Sequence, residues 1–117
     1  MDRRGSVWYP GGMNTLDEAS VRTAIAALDG WEFVDDRIRR RLRFPAFRDA
    51  IDFIVRVADL AESAGHHPEL TNVYADVTVE LTSHDEGGVT ERDLALAGQI
   101  DGVVGPGKTA TQDEPTG

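Results

Sequence analysis

The sequence has no cysteine among its 117 residues. That excludes a disulfide framework, a thiolate nucleophile and any cysteine-ligated zinc or iron–sulfur centre. It also lacks an apolar run approaching the roughly 20 residues that a membrane-spanning helix needs. The start, Met1-Asp2-Arg3-Arg4, leads into Gly, Ser, Val, Trp, Tyr and Pro rather than an apolar stretch, so no signal peptide is expected and a cytoplasmic location follows. Basic residues are in short supply: 12 Lys and Arg stand against 21 Asp and Glu, a formal charge of −9. Nucleic acid and anionic membranes would be repelled, and neither is expected as a partner. What remains is a length that suits one domain, with 40% hydrophobic and 28% charged residues. A domain this small buries a modest fraction of its surface, which makes self-association a natural way to bury more.

Residues 1–13 read as an extension outside the fold, rich in Gly, with Trp8 and Tyr9 as the side chains able to pin it to a surface. Thr15-Leu16-Asp17-Glu18 fits a capping box with Thr15 as N-cap, and Val21, Ile25 and Leu28 continue at helical spacing until Gly30. Trp31–Val34 and Arg37–Phe44 read as two strands joined by a turn at Asp35-Asp36. In the second strand Ile38, Leu42 and Phe44 share one face and Arg39, Arg41 and Arg43 the other, while Arg40 stands on the apolar side.

A long helix is expected over about Ala46–Ala64, with Phe47, Ile51, Ile54, Val55, Ala58 and Ala61 as its inward stripe and Gly65 as its C-cap. Glu62 falls inside that stripe, so it is expected to face inward and to orient, or share a proton with, an imidazole. Leu70–Tyr74 reads as a short extended segment, Val77, Val79 and Leu81 mark a half-buried strand, and Thr90-Glu91-Arg92-Asp93 caps a third helix. The tail over 104–117 has too few apolar residues to pack and is expected to be disordered. The fold class is α+β, in the order α-β-β-α-β-β-α: a four-stranded antiparallel sheet with three helices on one face.

Only three histidines occur, two of them adjacent in Gly65-His66-His67-Pro68 and the third, His84, at the end of the last strand. Imidazole exchanges protons near neutral pH with little tuning, so the trio is a candidate for acid–base chemistry. The plainer reading is of exposed histidines at a helix end, where the dipole favours them.

Glu62, His66-His67-Pro68, Tyr74, His84 and Asp93, at these fixed spacings, resemble the signature of pterin-4a-carbinolamine dehydratases. Leu28-Asp29-Gly30-Trp31, Phe44–Phe53 and Thr90-Glu91-Arg92-Asp93 extend the resemblance over roughly Leu16–Asp101, within a domain of 14–103. It implies a hydro-lyase that dehydrates 4a-hydroxytetrahydropterin to quinonoid dihydropterin, in tetrahydrobiopterin recycling, with no cofactor and no metal. The implied catalytic residues are His66, His67 and His84, with Glu62, Arg92 and Asp93 binding or supporting. A homodimer or homotetramer is expected. Gly65 departs from the family pattern, in which many members carry aspartate there.

Two rival functions accompany this reading. A metal site would draw on His66, His67 and His84 with Glu62 or Asp85, but adjacent histidines point apart and no His-Glu-x-x-His pattern is present. A non-catalytic, dehydratase-like binding or assembly factor would reuse the fold without chemistry, and has no need of three histidines. The Arg37–Arg43 strand reads as a solvated face paired with acids. Arg92 and Asp93 have an alternative as the charged first turn of a helix.

Overall fold

Helix α1, Glu18–Ala26, begins two residues later than the capping-box reading places it. Asp17 is the N-cap, and its carboxylate accepts from Ser20 N at 2.8 Å. An aspartate caps as well as a threonine, and Thr15 is engaged elsewhere: its hydroxyl donates to the Glu86 carbonyl at 2.6 Å. The computed structural model describes residues 15–104 and the backbone of Ala110–Thr111. The extension expected over 1–13, and most of the tail, lie outside the described residues.

Strands β1, Trp31–Val34, and β2, Arg37–Arg43, form a hairpin in which Asp35 and Asp36 both take positive φ, 53° and 61°. That is the two-residue turn whose twist matches paired strands, and aspartate tolerates it better than most residues. Helix α2 is Phe47–Ala64, β3 Glu69–Val73, β4 Asp76–Leu81 and α3 Glu91–Val104. The antiparallel sheet runs β1-β2-β4-β3. Within the stretch expected to be disordered, Ala110–Thr111 instead adds a two-residue strand, β5, against Leu42 and Arg43.

The register sorts the sheet into two faces. Ile38 opposite Leu81, Leu42 opposite Val77 and Leu70 opposite Val79 face the helices, and the β2 and β4 members of these pairs are buried. Val21 and Ile25 of α1, Ala50, Phe53 and Val57 of α2, and Leu96, Ala97 and Ile100 of α3 complete that core. On the other face Arg37 bridges Glu69 and Glu80, Arg39 bridges Glu32 and Glu80, and Arg43 meets Asp76. The arginine strand is thus a face paired with acids, as its alternation implies.

The inward stripe of α2 is Ala50, Phe53, Val57 and Ala61, while Phe47 and Val55 are more than half exposed. At 100° per residue this stripe is turned by roughly 90° from the expected one. The apolar arc of α2 is wider than its packing neighbours, chiefly α3 and in smaller part β4, can cover. Glu62 consequently projects outward and is 78% exposed.

Arg40, on the apolar face, is buried and meets Asp101. Asp101 also accepts from Trp31 Nε1 at 2.8 Å and Asp29 N at 3.1 Å. Gly30 takes φ 78°, and a Cβ there would lie 3.2 Å from Arg40 Nε. The Leu28-Asp29-Gly30-Trp31 run therefore closes α1 over a buried ion pair.

Candidate active site

Helix α2 stops in a Schellman closure: Gly65 N donates to Glu62 O and His66 N to Ala61 O, with Gly65 left-handed at φ 64°. This closure fixes where His66 leaves the helix, and Pro68 blocks further helix before β3 begins at Glu69. Glu69 pairs with Glu80 near the end of β4, so the histidine pair lies at the same sheet end as the loop that carries His84.

Of the three histidines only His66 is buried, at 8% exposure. Its Nε2 lies 2.5 Å from Asp93 Oδ1. Asp93 is fully buried in the first turn of α3, where Oδ2 accepts from Thr90 N at 2.8 Å and Ser83 Oγ at 2.9 Å. Thr90 is the helix cap: its hydroxyl accepts from Arg92 N and lies 2.8 Å from Ser83 Oγ. Asp93 thus serves the capping role at the third helical position while its other oxygen holds an imidazole. With an ionised Asp93 as acceptor, His66 donates through Nε2, which leaves Nδ1 as the ring nitrogen that can face another partner.

His67 and His84 are exposed. His67 Nε2 lies 3.1 Å from Glu62 Oε2, and His84 Nε2 lies 3.5 Å from Glu69 Oε2. Glu62 therefore meets the outer histidine rather than His66 and does so in solvent, which corrects the inward orientation expected for it. Arg92 donates to Asp85 Oδ1 at 2.8 Å. That hydrogen bond holds the Asp85 carboxyl below the usual carboxylate range.

The structure joins His66 to Asp93 and sets each exposed histidine beside its own glutamate. Among the described residues no three His, Asp or Glu side chains converge as a metal-ligand set. Ser83 was not legible as a site residue, because nothing in its spacing marks a hydroxyl aimed at Asp93. Thr90 was legible only as a cap.

The chain matches the family model described as pterin 4 alpha carbinolamine dehydratase over residues 14–103. A relative from Prochlorococcus marinus (strain MIT 9303), named "Putative pterin-4-alpha-carbinolamine dehydratase", is 52% identical over 94 residues, covering 80% of this chain and 97% of the relative. One of the same name from Koribacter versatilis (strain Ellin345) is 45% identical over 89 residues, covering 76% and 95%. The crystal structure of a transcriptional coactivator/pterin dehydratase from Brucella melitensis superimposes with a TM-score of 0.75 at 40% identity, over 79% of this chain and 100% of that one. A pterin dehydratase-like protein identified as a RuBisCO assembly factor in the alpha-carboxysome shares the fold, with a TM-score of 0.57 at 22% identity over 67% and 93%. By the extent of the family match and the identity to full-length relatives, the chain belongs to the pterin-4a-carbinolamine dehydratase family.

Proposed function

We propose that the protein dehydrates a 4a-hydroxytetrahydropterin to a quinonoid dihydropterin by histidine acid–base catalysis, in tetrahydrobiopterin recycling. The observation that carries this reading is the buried His66–Asp93 pair; an ionised Asp93 keeps a proton on Nε2, and Nδ1 is the base of this reading. In the elimination, the N5–H proton is taken by His66 Nδ1. The freed electron pair forms the C4a=N5 bond, and the C4a–O bond breaks with its pair on oxygen. A protonated imidazole, His67 or His84, delivers the proton that makes the leaving group water. Atoms and charge balance, no electron is transferred to an acceptor, and neither a cofactor nor a metal is invoked. Glu62, beside His67, and Arg92, through Asp85, support the site from its rim.

The working form in this reading is a homodimer or homotetramer. The exposed Phe47 and Val55 on α2 support it, since they extend an apolar arc that the sheet leaves uncovered. Sedimentation at micromolar concentration as a single monomeric species would remove that part. A cytoplasmic setting fits the charge and the lack of any described helix long and apolar enough to cross a membrane.

The test of the reaction is direct. The purified protein is mixed with freshly generated 4a-hydroxytetrahydropterin, with and without exhaustive chelation, and dehydration is followed spectroscopically. Acceleration that survives chelation is expected. No acceleration over buffer would leave the binding or assembly role as the better reading, and a rate restored only by added metal would replace the histidine mechanism.

A further inference from the structure

A cleft of about 230 Å³ opens between one flank of α2, the end of β2 and the last turn of α3. Its floor is apolar. Phe44 and Phe53, a tilted ring pair with centroids 5.0 Å apart, meet Val103 and Val104 there. Its rim is charged, with Asp49, Asp52 and Arg56 following one another along α2. Asp49 and Asp52 stand in the first two turns of that helix, and the histidine pair follows its far end, about 27 Å from its start. The cleft is therefore separate from the histidine site.

The charges on the rim are left apart. Asp52 and Arg56 have the i,i+4 spacing at which Glu18 and Arg22 of α1 close to 2.6 Å. Every arginine of β2, and those of α1 and α3, meets a carboxylate. Arg56 meets none among the described residues, although two aspartates share its cleft and the chain carries 21 acids. A guanidinium and two carboxylates held around an apolar floor, and not spent on one another, offer both signs of charge to a ligand.

We propose that this cleft binds a free α-amino acid with an apolar side chain. The ammonium sits at Asp49 and Asp52, the carboxylate on the guanidinium of Arg56, and the side chain on the apolar floor. Charge favours this occupant. A simple cation leaves Arg56 unused, a simple anion meets two carboxylates, and a residue inside a peptide has neither charge. The carboxyl end of α3 has no basic residue in its last turn, so its dipole reinforces the two aspartates toward an ammonium. Spacing agrees, since one helical turn sets Asp52 and Arg56 about 6 Å apart along the axis, a gap that one zwitterion can bridge. Size agrees as well: the cleft is smaller than the roughly 300 Å³ at which pockets for drug-sized ligands begin.

The binding does not depend on the reaction proposed above, and its test needs no turnover. The full chain is titrated with L-leucine while its amide resonances are followed by NMR. Leucinamide, which lacks the carboxylate, and N-acetylleucine, which lacks the ammonium, serve as paired probes. Saturable shifts are expected at 49–56 and 103–104, with 84–92 unmoved, and each probe should bind about tenfold more weakly than leucine. Arg56→Gln should weaken leucine and N-acetylleucine by a similar factor and leave leucinamide unchanged. Asp49→Asn/Asp52→Asn should weaken leucine and leucinamide and spare N-acetylleucine. All three positions are exposed, so the variants keep the fold. No saturation by about 10 mM leucine overturns the proposal. Equal affinity for the three ligands overturns it too, since only apolar contact would remain, as do shifts confined to 84–92, which would place the ligand at the histidines. Shifts at the cleft that follow protein concentration instead of ligand would assign it to a second copy and overturn the amino-acid site.

Discussion

His66 Nε2 and Asp93 Oδ1 stand 2.5 Å apart and tie the end of α2 to the first turn of α3. The contact serves fold and site together. Asp93 satisfies the backbone N–H of Thr90 and the hydroxyl of Ser83 with one oxygen, so its position does not depend on the imidazole. His66 is in turn set by the Schellman closure of α2. An imidazole held at both its backbone and its ring nitrogen has a fixed tautomer and little freedom to turn.

Asp93→Asn should therefore separate the two functions of the carboxylate. The amide oxygen can take the place of Oδ2 and still accept from both Thr90 N and Ser83 Oγ, while its NH2 faces His66 Nε2, so the fold should survive with a loss of about 1–3 kcal/mol, the cost of one buried charge-assisted hydrogen bond. The proton on His66 is no longer held at Nε2, and turnover should fall by roughly 100-fold or more. Ser83→Ala provides the contrast, with a comparable loss of stability and most of the turnover retained. Chemical denaturation and single-turnover rates measure both. Equal loss of turnover in the two variants would mean that Asp93 matters only as packing.

The histidines should act as a unit. His66→Ala and His84→Ala should each cost roughly 100-fold in rate if one base and one acid serve a single elimination. The double variant should lose far less than the product of the two, because the second group has nothing to act with once the first is gone. Strictly multiplicative losses in kcat/KM would indicate two independent binding contacts instead.

The parts of the structure that were legible in the sequence are those where one interaction dominates. The alternation in β2 and β4 leaves a single choice of face, and a glycine in the left-handed region ends α2 where Gly65 predicts. Helix α2 shows where that clarity stops. Phe47, Ile51, Ile54 and Val55 form a large apolar stripe, yet the buried residues are Ala50, Phe53, Val57 and Ala61. Periodicity locates an apolar arc and cannot say which half of a wide one touches the neighbour. Glu62 was misplaced by the same ambiguity. The histidine signature was legible from spacing, whereas the burial of His66 and exposure of His67 and His84 depend on the path of a loop.

Glu62 now carries a sharp expectation. Its side chain is exposed and pairs with an exposed histidine, so Glu62→Gln should leave unfolding free energy within about 0.5 kcal/mol. A stabilisation of 1 kcal/mol or more, measured by urea denaturation, would indicate that a buried charge had been removed.

Two exposed aspartates give the acid limb of the stability curve. Hydrogen bonding to Arg43 holds the Asp76 carboxyl below its ordinary value of 3.8, and Arg92 does the same for Asp85. A folded-state value lowered in this way contributes stability that is fully present above the unfolded value. It is lost as pH falls through the folded one. Arg43→Met and Arg92→Met should each make the melting temperature fall less steeply below about pH 4, with the change abolished at high salt. A slope that steepens in either variant would reverse the assigned sign.

The buried ion pair on the apolar face of β2 should respond asymmetrically to loss of either partner. Arg40 has a side chain only 6% accessible, and its Nε already lacks a partner among the described residues. Asp101→Asn keeps an acceptor for Trp31 Nε1 or Asp29 N but strands the whole guanidinium charge in the core. That should cost about 3–5 kcal/mol. Arg40→Met removes the charge, retains an unbranched stem of similar length, and leaves Asp101 with two N–H donors and 14% side-chain exposure. Its cost should be nearer 1–2 kcal/mol. The double variant should then lie close to Arg40→Met alone, because once the cation is gone Asp101→Asn no longer strands anything. Thermal and urea unfolding of the three variants give the cycle directly. Were Arg40→Met the more damaging single change, the packing of the arginine stem against Gly30 and the sheet, rather than its charge, would be what Asp101 holds in place.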